Sequence, residues 1–363
     1  MKKIFTVIGA RPQFIKAAIV SHVINTQYKD SVQEIIVHTG QHYDANMSDI
    51  FFDQMNIPKP LYRLDIGARS HGAMTGEMLI ELEKLMIEEK PDVVMVYGDT
   101  NSTLAASIAA SKLHIPIAHI EAGMRSYDKK IPEEVNRVLT DHVSSYFFCA
   151  SYVSAQNLVK EGLNDNIHVV GDVMYDLILF YKDKAAPSAK IQELPKDFFL
   201  ATCHRQENTD NLDNLIAIFD ALRELSRDTP VIMPLHPRTK NYIFLNKINT
   251  DGITIIDPVG YFDMLYLLGH AKVVLTDSGG LQKEAYYHDK PVVIMRDCTE
   301  WVELVDNNIA QLTGANKAKI VASAMELQGI KTFPKNIYGD GNAAQKIIRA
   351  LISRSNNIQL AIS

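Results

Sequence analysis

The sequence predicts two doubly wound α/β domains facing each other across a cleft. Three observations carry this. Short apolar runs alternate with helical apolar spacing along the whole chain. Most of those runs end in loops bearing Asp, Glu, His or Arg, and open α/β sheets bind ligands at the carboxyl ends of their strands. The alternation also restarts after a polar stretch with two prolines, Ala185 to Pro195, and 363 residues are enough for two cores. Domains are expected at 1–171 and 172–342, with a closing helix in 343–363. Alternation sets the class but not the order of the strands.

Bulk composition narrows the function. Hydrophobic residues at 47% and charged residues at 22% are ordinary for a soluble globular chain. The net charge of −6 comes from 37 basic and 43 acidic residues, intermixed, so neither a nucleic-acid tail nor a polybasic membrane patch is present. Cys149, Cys203 and Cys298 are too widely spaced for a disulfide framework or a paired-cysteine metal site. Cys149 lies in the apolar run Tyr146 to Ala150 and reads as a core thiol. The opening Met1-Lys2-Lys3 and its apolar run have the look of a signal peptide, but Gly9-Ala10-Arg11-Pro12 interrupts them, so the run reads as a first strand. No run approaches the ~20 apolar residues of a spanning helix, and the expected location is the cytoplasm.

Ile4 to Ile8 is that strand, and Gln13 to Ile24 has helical spacing, with Pro12 suited to the first helical position. Arg11 and Lys16 then stand at the positive end of a helix, where an anion belongs. The competing reading, a solvated surface cation, weighs more heavily for Lys16 than for Arg11. Glu34 to Val37 leads into His38-Thr39-Gly40-Gln41-His42, a candidate sugar or phosphate reader. His42 reads equally as a surface residue, and no partner ligands stand at zinc spacing. Arg69 to Gly76 reads as a polar loop before the helix Glu77 to Glu88.

The stretch from Tyr97 to Arg137 organises the first half. Val93 to Val96 and Ile115 to Ile120 read as parallel strands joined by an Ala-rich helix, Thr103 to Leu113. The strands end in Asp99 and Glu121, and Glu133-Glu134 follow Pro132 into the first turn of the next helix. Asp99 as a helix cap and Glu133 as a dipole partner are competing readings, but Glu121 caps nothing obvious. Three carboxylates converging on one cleft fit acid/base chemistry, because crowding separates their pKa values.

Beyond Arg137 the pattern runs through a strand at Tyr146 to Cys149, a helix at Ser154 to Glu161 and a strand at His168 to Val170. Gly171-Asp172 marks the switch, followed by a helix at Tyr175 to Lys184. In the second half, strands at Phe198 to Thr202, Val231 to Leu235, Ile253 to Ile256, Val273 to Leu275 and Val292 to Met295 alternate with helices such as Leu212 to Ser226 and Tyr261 to Leu268. A last helix spans Ala343 to Ser353.

Thr276-Asp277-Ser278-Gly279-Gly280 joins a strand to a helix, so backbone N–H groups and the Ser278 hydroxyl meet an incoming group there, and two glycines admit a diphosphate. A cap by Asp277 or Ser278 is the bland alternative. The motif is neither a P-loop nor a dinucleotide fingerprint. Glu284 falls roughly 1.7 turns beyond Ser278, in reach of a ribose diol, or is an exposed helix charge. His204 and Arg205 after one strand, and His236 and Arg238 after the next, supply cations and proton donors opposite the acids.

As an ordered set, these residues resemble the non-hydrolysing UDP-N-acetylglucosamine 2-epimerase family. The resemblance rests on Gly9-Ala10-Arg11-Pro12, Thr39-Gly40-Gln41-His42, Gly98-Asp99-Thr100, His119-Ile120-Glu121-Ala122-Gly123, Pro132-Glu133-Glu134-Val135-Asn136-Arg137, His204-Arg205 and Asp277-Ser278-Gly279-Gly280-Leu281-Gln282-Lys283-Glu284. Each motif alone is weak, but their order almost end to end is specific. Gln13, where that family has Glu, and Trp301, in Arg296-Asp297-Cys298-Thr299-Glu300-Trp301, resemble the branch acting on UDP-2,3-diacetamido-2,3-dideoxy-D-glucuronate. A neutral Gln13 sparing a substrate carboxylate from repulsion is one rationale.

The resemblance implies the GT-B glycosyltransferase fold, a final helix crossing back to the first domain, and a homodimer. It implies elimination of UDP to a 2-acetamido-glycal and re-addition with the C2 proton on the other face, in surface-polysaccharide synthesis. Its acids fall on Asp99, Glu121 and Glu133 and its histidine on His204. Arg11, Ser278, Gly279 and Glu284 match its UDP-binding positions; Lys16, His42, Arg137, Arg205, His236 and Gly280 complete the candidate substrate contacts. It implies no metal, nicotinamide or flavin; the expected partners are the UDP-sugar and a second copy, with no nucleic acid and no membrane. UDP-N-acetylglucosamine is the alternative substrate. A glycosyltransferase, a hydrolysing epimerase and a non-catalytic sensor are the rival classes.

Overall fold

The computed structural model describes residues 1–41, 58–67, 69–182, 187–235 and 237–353, with only the backbone of Arg11, Pro237 and Arg238. His42 and His236 lie outside the described residues. Contacts divide the chain into one unit of Met1–Leu179 with Asn336–Ser363, and another of Phe180–Lys335.

In the first unit, β1 (Lys2–Ile8), β2 (Val32–His38), β3 (Tyr62–Arg63), β4 (Val93–Tyr97), β5 (Ile117–Ile120), β6 (Tyr146–Cys149) and β7 (Ile167–Val169) form a parallel sheet in the order β3-β2-β1-β4-β5-β6-β7. Between the strands run α1 (Arg11–Gln27), α2 (His71–Glu89), α3 (Asn101–Lys112), α4 (Pro132–Val143) and α5 (Tyr152–Lys160), and α6 (Val173–Tyr181) follows. The central strands are largely apolar because helices cover both faces of a parallel sheet: all five residues of β4 are buried. Cys149 is a core thiol, and burial pushes its pKa up.

In the second unit, β8 (Phe198–Thr202), β9 (Val231–Pro234), β10 (Ile253–Ile256), β11 (Ala271–Thr276), β12 (Val292–Ile294) and β13 (Ala310–Leu312) pair as β10-β9-β8-β11-β12-β13. Its helices are α7 (Ala189–Gln192), α8 (Gln206–Thr209), α9 (Leu212–Leu225), α10 (Pro237–Leu245), α11 (Tyr261–His270), α12 (Gly279–Tyr287), α13 (Val302–Asp306) and α14 (Lys317–Leu327). The last, α15 (Ala343–Ile352), belongs to the first unit.

Both sheets reverse winding once, between β1 and β4 and between β8 and β11. Adjacent parallel strands whose connections leave in opposite directions open a crevice at their carboxyl ends. The loops at those two points begin at Gly9, Gly98, Cys203 and Asp277, and they carry most of the candidate site residues.

Several elements depart from the sequence reading. Helix α2 begins at His71, not Glu77, because Met74, Met78, Leu82 and Met86 form one buried stripe. Gly72 and Gly76 lie on its open side, where an added Cβ would meet nothing, so burial of the methionines outweighs their poor helix propensity. Of the expected polar turn, Pro237 to Thr239 instead start α10, with Pro237 at the end of a helix where its missing N–H costs little. The reading also passed over α13, β13 and α14, between Glu300 and Ala343.

The expected boundaries after 171 and 342 differ from the contact division. The Asp172 N–H donates to Tyr338 O at 2.9 Å, and Asp176 Oδ2 accepts from Ala344 N at 2.8 Å, which ties α6 to the returning chain. Helix α15 buries Ala344, Ile347, Ile348 and Leu351. It also holds to the first element pair through Lys2 Nζ to Leu351 O at 2.6 Å and Arg349 Nε to Tyr28 Oη at 3.1 Å.

Candidate active site

The first unit gathers its candidate residues after β1, β4 and β5. Gly9 opens the first loop where no side chain fits: an added Cβ would stand 2.1 Å from both Ser102 Oγ and Thr39 Oγ1. Gln13 braces the loop. Its Oε1 accepts from the N–H groups of Gly9 and Ala10 at 2.8 and 3.0 Å, and its Nε2 donates to Tyr97 O, Thr100 Oγ1 and Thr103 Oγ1 at 2.8, 3.0 and 2.9 Å. Gln13 is 2% exposed with its amide fully engaged, so it brackets two loops and presents no free group to a substrate. That is a better account than the expected relief of substrate repulsion.

Lys16 of α1 forms an ion pair with Glu121. Glu121 is buried and holds φ at 72°, a left-handed conformation costing a non-glycine residue about 1–2 kcal/mol. The N–H groups of Glu121 and Ala122 both donate to Phe148 O, at 2.9 and 3.2 Å, which holds the turn in that shape. Strain of this kind concentrates at functional sites. The pair abuts Gly98, whose added Cβ would lie 3.3 Å from Glu121 Oε2 and 3.7 Å from Lys16 Nζ.

Asp99 follows Gly98 and pairs with Arg137 of α4. It is not the helix cap: Thr100 takes that place, accepting from Thr103 N at 3.2 Å. Asp99 and Glu121 thus pair with different cations, Arg137 and Lys16.

Helix α4 has an unusual inner face. Its buried residues are Glu134, Asn136, Arg137, Thr140 and Asp141, whereas Val135 and Leu139 are exposed. The helix thus grips loops through hydrogen bonds. Asn136 Nδ2 donates to Asp99 O at 2.9 Å, and Glu134 accepts from Ser126 N, Ser126 Oγ and Tyr127 N at 2.9, 3.0 and 2.9 Å. Glu133, in the first turn, is half-buried and accepts no hydrogen bond among the described residues. Of the adjacent acids, Glu134 is structural and Glu133 is available.

In the second unit, β8 and β11 bring together His204, Arg205, Ser278, Gly279 and Gly280. Asp277, fully buried, accepts from His204 N and Arg205 N at 3.0 Å and from Asn208 Nδ2 at 3.1 Å. Its carboxylate organises the preceding loop and does not cap α12. His204 Nδ1 lies 3.5 Å from Asp277 Oδ1. Ser278 stands at the cap position of α12 without a capping bond, leaving its hydroxyl and the helix N-terminus at the loop surface. The Arg205 guanidinium approaches that end, 3.8 Å from an added Cβ at Gly279. Glu284 is half-buried two turns into α12.

Trp301 supports the same end of the helix. Its Nε1 donates to Gly279 O at 2.9 Å, and Lys283 Nζ lies 3.8 Å from the centre of its ring, a cation–π contact. Arg296 ties the neighbouring loops through Glu207 at 3.0 Å and Glu300 at 3.1 Å. Lys283, Arg296, Asp277, Asn136 and Asp141 were not among the candidates read from sequence. Places inside the quoted motifs hinted at Asn136, Asp277, Lys283 and Arg296, and nothing hinted at Asp141. Among the described residues, no three His, Cys, Asp or Glu side chains gather as a metal site, and no helix is long and apolar enough to cross a membrane.

The profile of a family described as UDP-N-acetylglucosamine 2-epimerase matches residues 25–352. A UDP-2,3-diacetamido-2,3-dideoxy-D-glucuronate 2-epimerase of Pseudomonas aeruginosa is 51% identical over 355 residues, 96% of this chain and 99% of its own. A UDP-N-acetylglucosamine 2-epimerase of Methanocaldococcus jannaschii is 41% identical over 363 residues, 96% of this chain and 98% of its own. A crystal structure of M. jannaschii UDP-GlcNAc 2-epimerase in complex with UDP-GlcNAc and UDP has a TM-score of 0.88 at 40% identity, covering 96% of this chain and 99% of that one. With the two parallel α/β sheets, these likenesses establish the GT-B class, and the chain belongs to the UDP-N-acetylglucosamine 2-epimerase family of isomerases.

Proposed function

We propose that this isomerase inverts C2 of UDP-2,3-diacetamido-2,3-dideoxy-D-glucuronate to give the D-mannuronate isomer, for surface-polysaccharide synthesis. The observation that carries the substrate is the Pseudomonas aeruginosa relative of that name, at 51% identity over nearly the whole of both chains. UDP-N-acetylglucosamine is the second reading, favoured by the family profile and by the 41% identical relative.

In this reading a carboxylate of the first unit takes the C2 proton while the bond from C1 to the diphosphate oxygen breaks, giving a 2-acetamido-glycal and UDP. A proton then returns to C2 from the other face as the diphosphate oxygen reattaches at C1. Asp99, Glu121 and Glu133 are the acids and bases, and His204 stabilises the departing diphosphate. Lys16 and Arg137 hold Glu121 and Asp99 in place. The diphosphate takes the N-terminus of α12, with Ser278, Gly279, Gly280 and Arg205, because unpaired N–H groups there favour an anion. Glu284 accepts from the ribose diol, and Arg11, His42 and His236 complete the substrate contacts. No metal or redox cofactor takes part. The working form is a cytoplasmic homodimer; the exposed Val135 and Leu139 on α4 offer it an apolar face.

Proton NMR in D2O with each UDP-sugar tests the reading. A new manno anomeric signal with deuterium at C2 is expected from the diacetamido-glucuronate. Turnover of UDP-N-acetylglucosamine alone would overturn the substrate, and no exchange on either would overturn the reaction.

A further inference from the structure

One buried ion pair reaches both loops that carry the paired acids. His119, on β5, and Asp141, on α4, are fully buried, with Nδ1 2.7 Å from Oδ1. On the other side of the ring, Nε2 lies 2.8 Å from Gly98 O. A carbonyl oxygen can only accept, so Nε2 carries a proton. Asp141 Oδ2 accepts from Gly123 N at 3.1 Å and from Arg125 Nη1 at 2.7 Å. Arg125 is held by Glu161, whose two oxygens accept from Nε and Nη2 at 2.7 Å each. Burial alone would raise the Asp141 carboxyl, but His119 and Arg125 outweigh it and hold the group below the usual carboxylate range. Asp141 thus faces His119 with one oxygen and Gly123 and Arg125 with the other.

This ring sits between two oxygens: Gly98 O belongs to the β4 loop, and Asp141, on α4, also accepts from Gly123 N of the β5 loop. Gly98 immediately precedes Asp99, and Gly123 follows Glu121 by two residues. Gly123 has φ 78°, and an added Cβ there would come within 2.1 Å of Ser154 O, so the chain passes too close for any side chain. One end of the pair thus fixes the β4 loop and the other fixes the β5 loop.

We propose that His119 is a positioning residue for the epimerase reaction, a buried ring bonded to Gly98 and Asp141 that holds Asp99 and Glu121 in register with each other. The proposal rests on the reading that these two acids act at C2. A displacement of about 1 Å at a reacting group is enough to cost roughly 10²-fold in rate.

Two measurements test it. In protein labelled with ¹⁵N-histidine, Nε2 of His119 should carry a proton bonded to Gly98 O; a bare Nε2 overturns the proposal even if every variant misfolds. In His119→Gln, UDP sites are counted by calorimetry and turnover is expressed per site. The expected result is roughly a 10²-fold lower kcat per site, from misplaced acids, with the UDP Kd within about threefold of the parent. A merely structural histidine would reduce the number of sites and leave kcat per site unchanged, and that result overturns the proposal. Absence of C2 exchange in the parent itself would instead remove the underlying reading, and the proposal with it.

Discussion

Arg137 donates through Nη2 to Asp99 and through Nη1 to Glu134, the latter at 3.0 Å, from a side chain 5% exposed. A single guanidinium therefore connects a candidate acid to the carboxylate that folds the Ser126–Tyr127 turn. Lysine has three donors on one nitrogen but lacks the planar fork that reaches both carboxylates at once. Arg137→Lys is expected to lower kcat about 10- to 100-fold, the worth of a charged hydrogen bond of about 1.5–3 kcal/mol. Steady-state kinetics with thermal melting checks this; unchanged kcat would assign the fork to folding alone.

Glu121 combines a left-handed backbone with an ion pair to Lys16. Glu121→Gly should relieve about 1 kcal/mol of backbone cost, set against loss of the ion pair, so the melting point should stay close to the parent's. Catalysis should fall by at least roughly 10²-fold, the usual worth of a general acid or base. A stable variant that still exchanges the C2 hydrogen in D2O at the parental rate would remove Glu121 from the mechanism.

Gln13→Glu puts an oxygen where Nε2 now donates to Tyr97 O. The buried carbonyl loses its amide donor and faces a like dipole, so a loss of about 1–3 kcal/mol is expected. Because Gln13 braces loops and offers no group to the sugar, turnover of the uronate and of the neutral sugar should fall by the same factor. A change confined to the uronate would restore the repulsion account.

Asp176, at the junction of α6 and α15, is raised to about 6 from 3.8, chiefly by burial, against the N–H groups of Ala344 and Ala343 that lower it. The folded state holds this proton more tightly than the unfolded chain. Between pH about 4 and about 6 the folded carboxyl stays protonated while the unfolded one ionises, so stability falls through that window and is level above it. The expected loss is about 3 kcal/mol. His288, lowered to about 4 by burial and then by Lys290 and Lys182, acts in the opposite sense, losing stability as pH falls from 6.5. Variant and parent are therefore compared at each pH. Asp176→Asn should match the parent in acid and melt higher at neutral pH; a gap that does not change with pH would contradict the shift.

The candidate site was legible where chemistry sits in consecutive residues. Asp99, Glu121 and the Ser278-Gly279-Gly280 turn stand just after apolar runs, and Glu133 just after Pro132, so strand ends and a helix start could be read with them. Gln13, His119, Asp141 and Asp277 were not legible as supports. Their partners are between 22 and 90 residues away in several cases, such as Asp141 with His119 and Thr103 with Gln13. The start of α2 was misread because two glycines hid a methionine stripe that only burial reveals.

By itself the sequence determined the α/β class, the two sets of alternating elements and the family motifs, because periodicity and short motifs are local properties of the chain. The tertiary structure decided the strand orders, and with them the two switch points at which separate loops meet. It also decided which acids are committed: Glu134 to a turn, Asp277 to the β8 loop, Asp141 to His119 and Arg125. A carboxylate's role depends on which donors pack around it once water is excluded, and those donors come from strands and helices that only folding brings together.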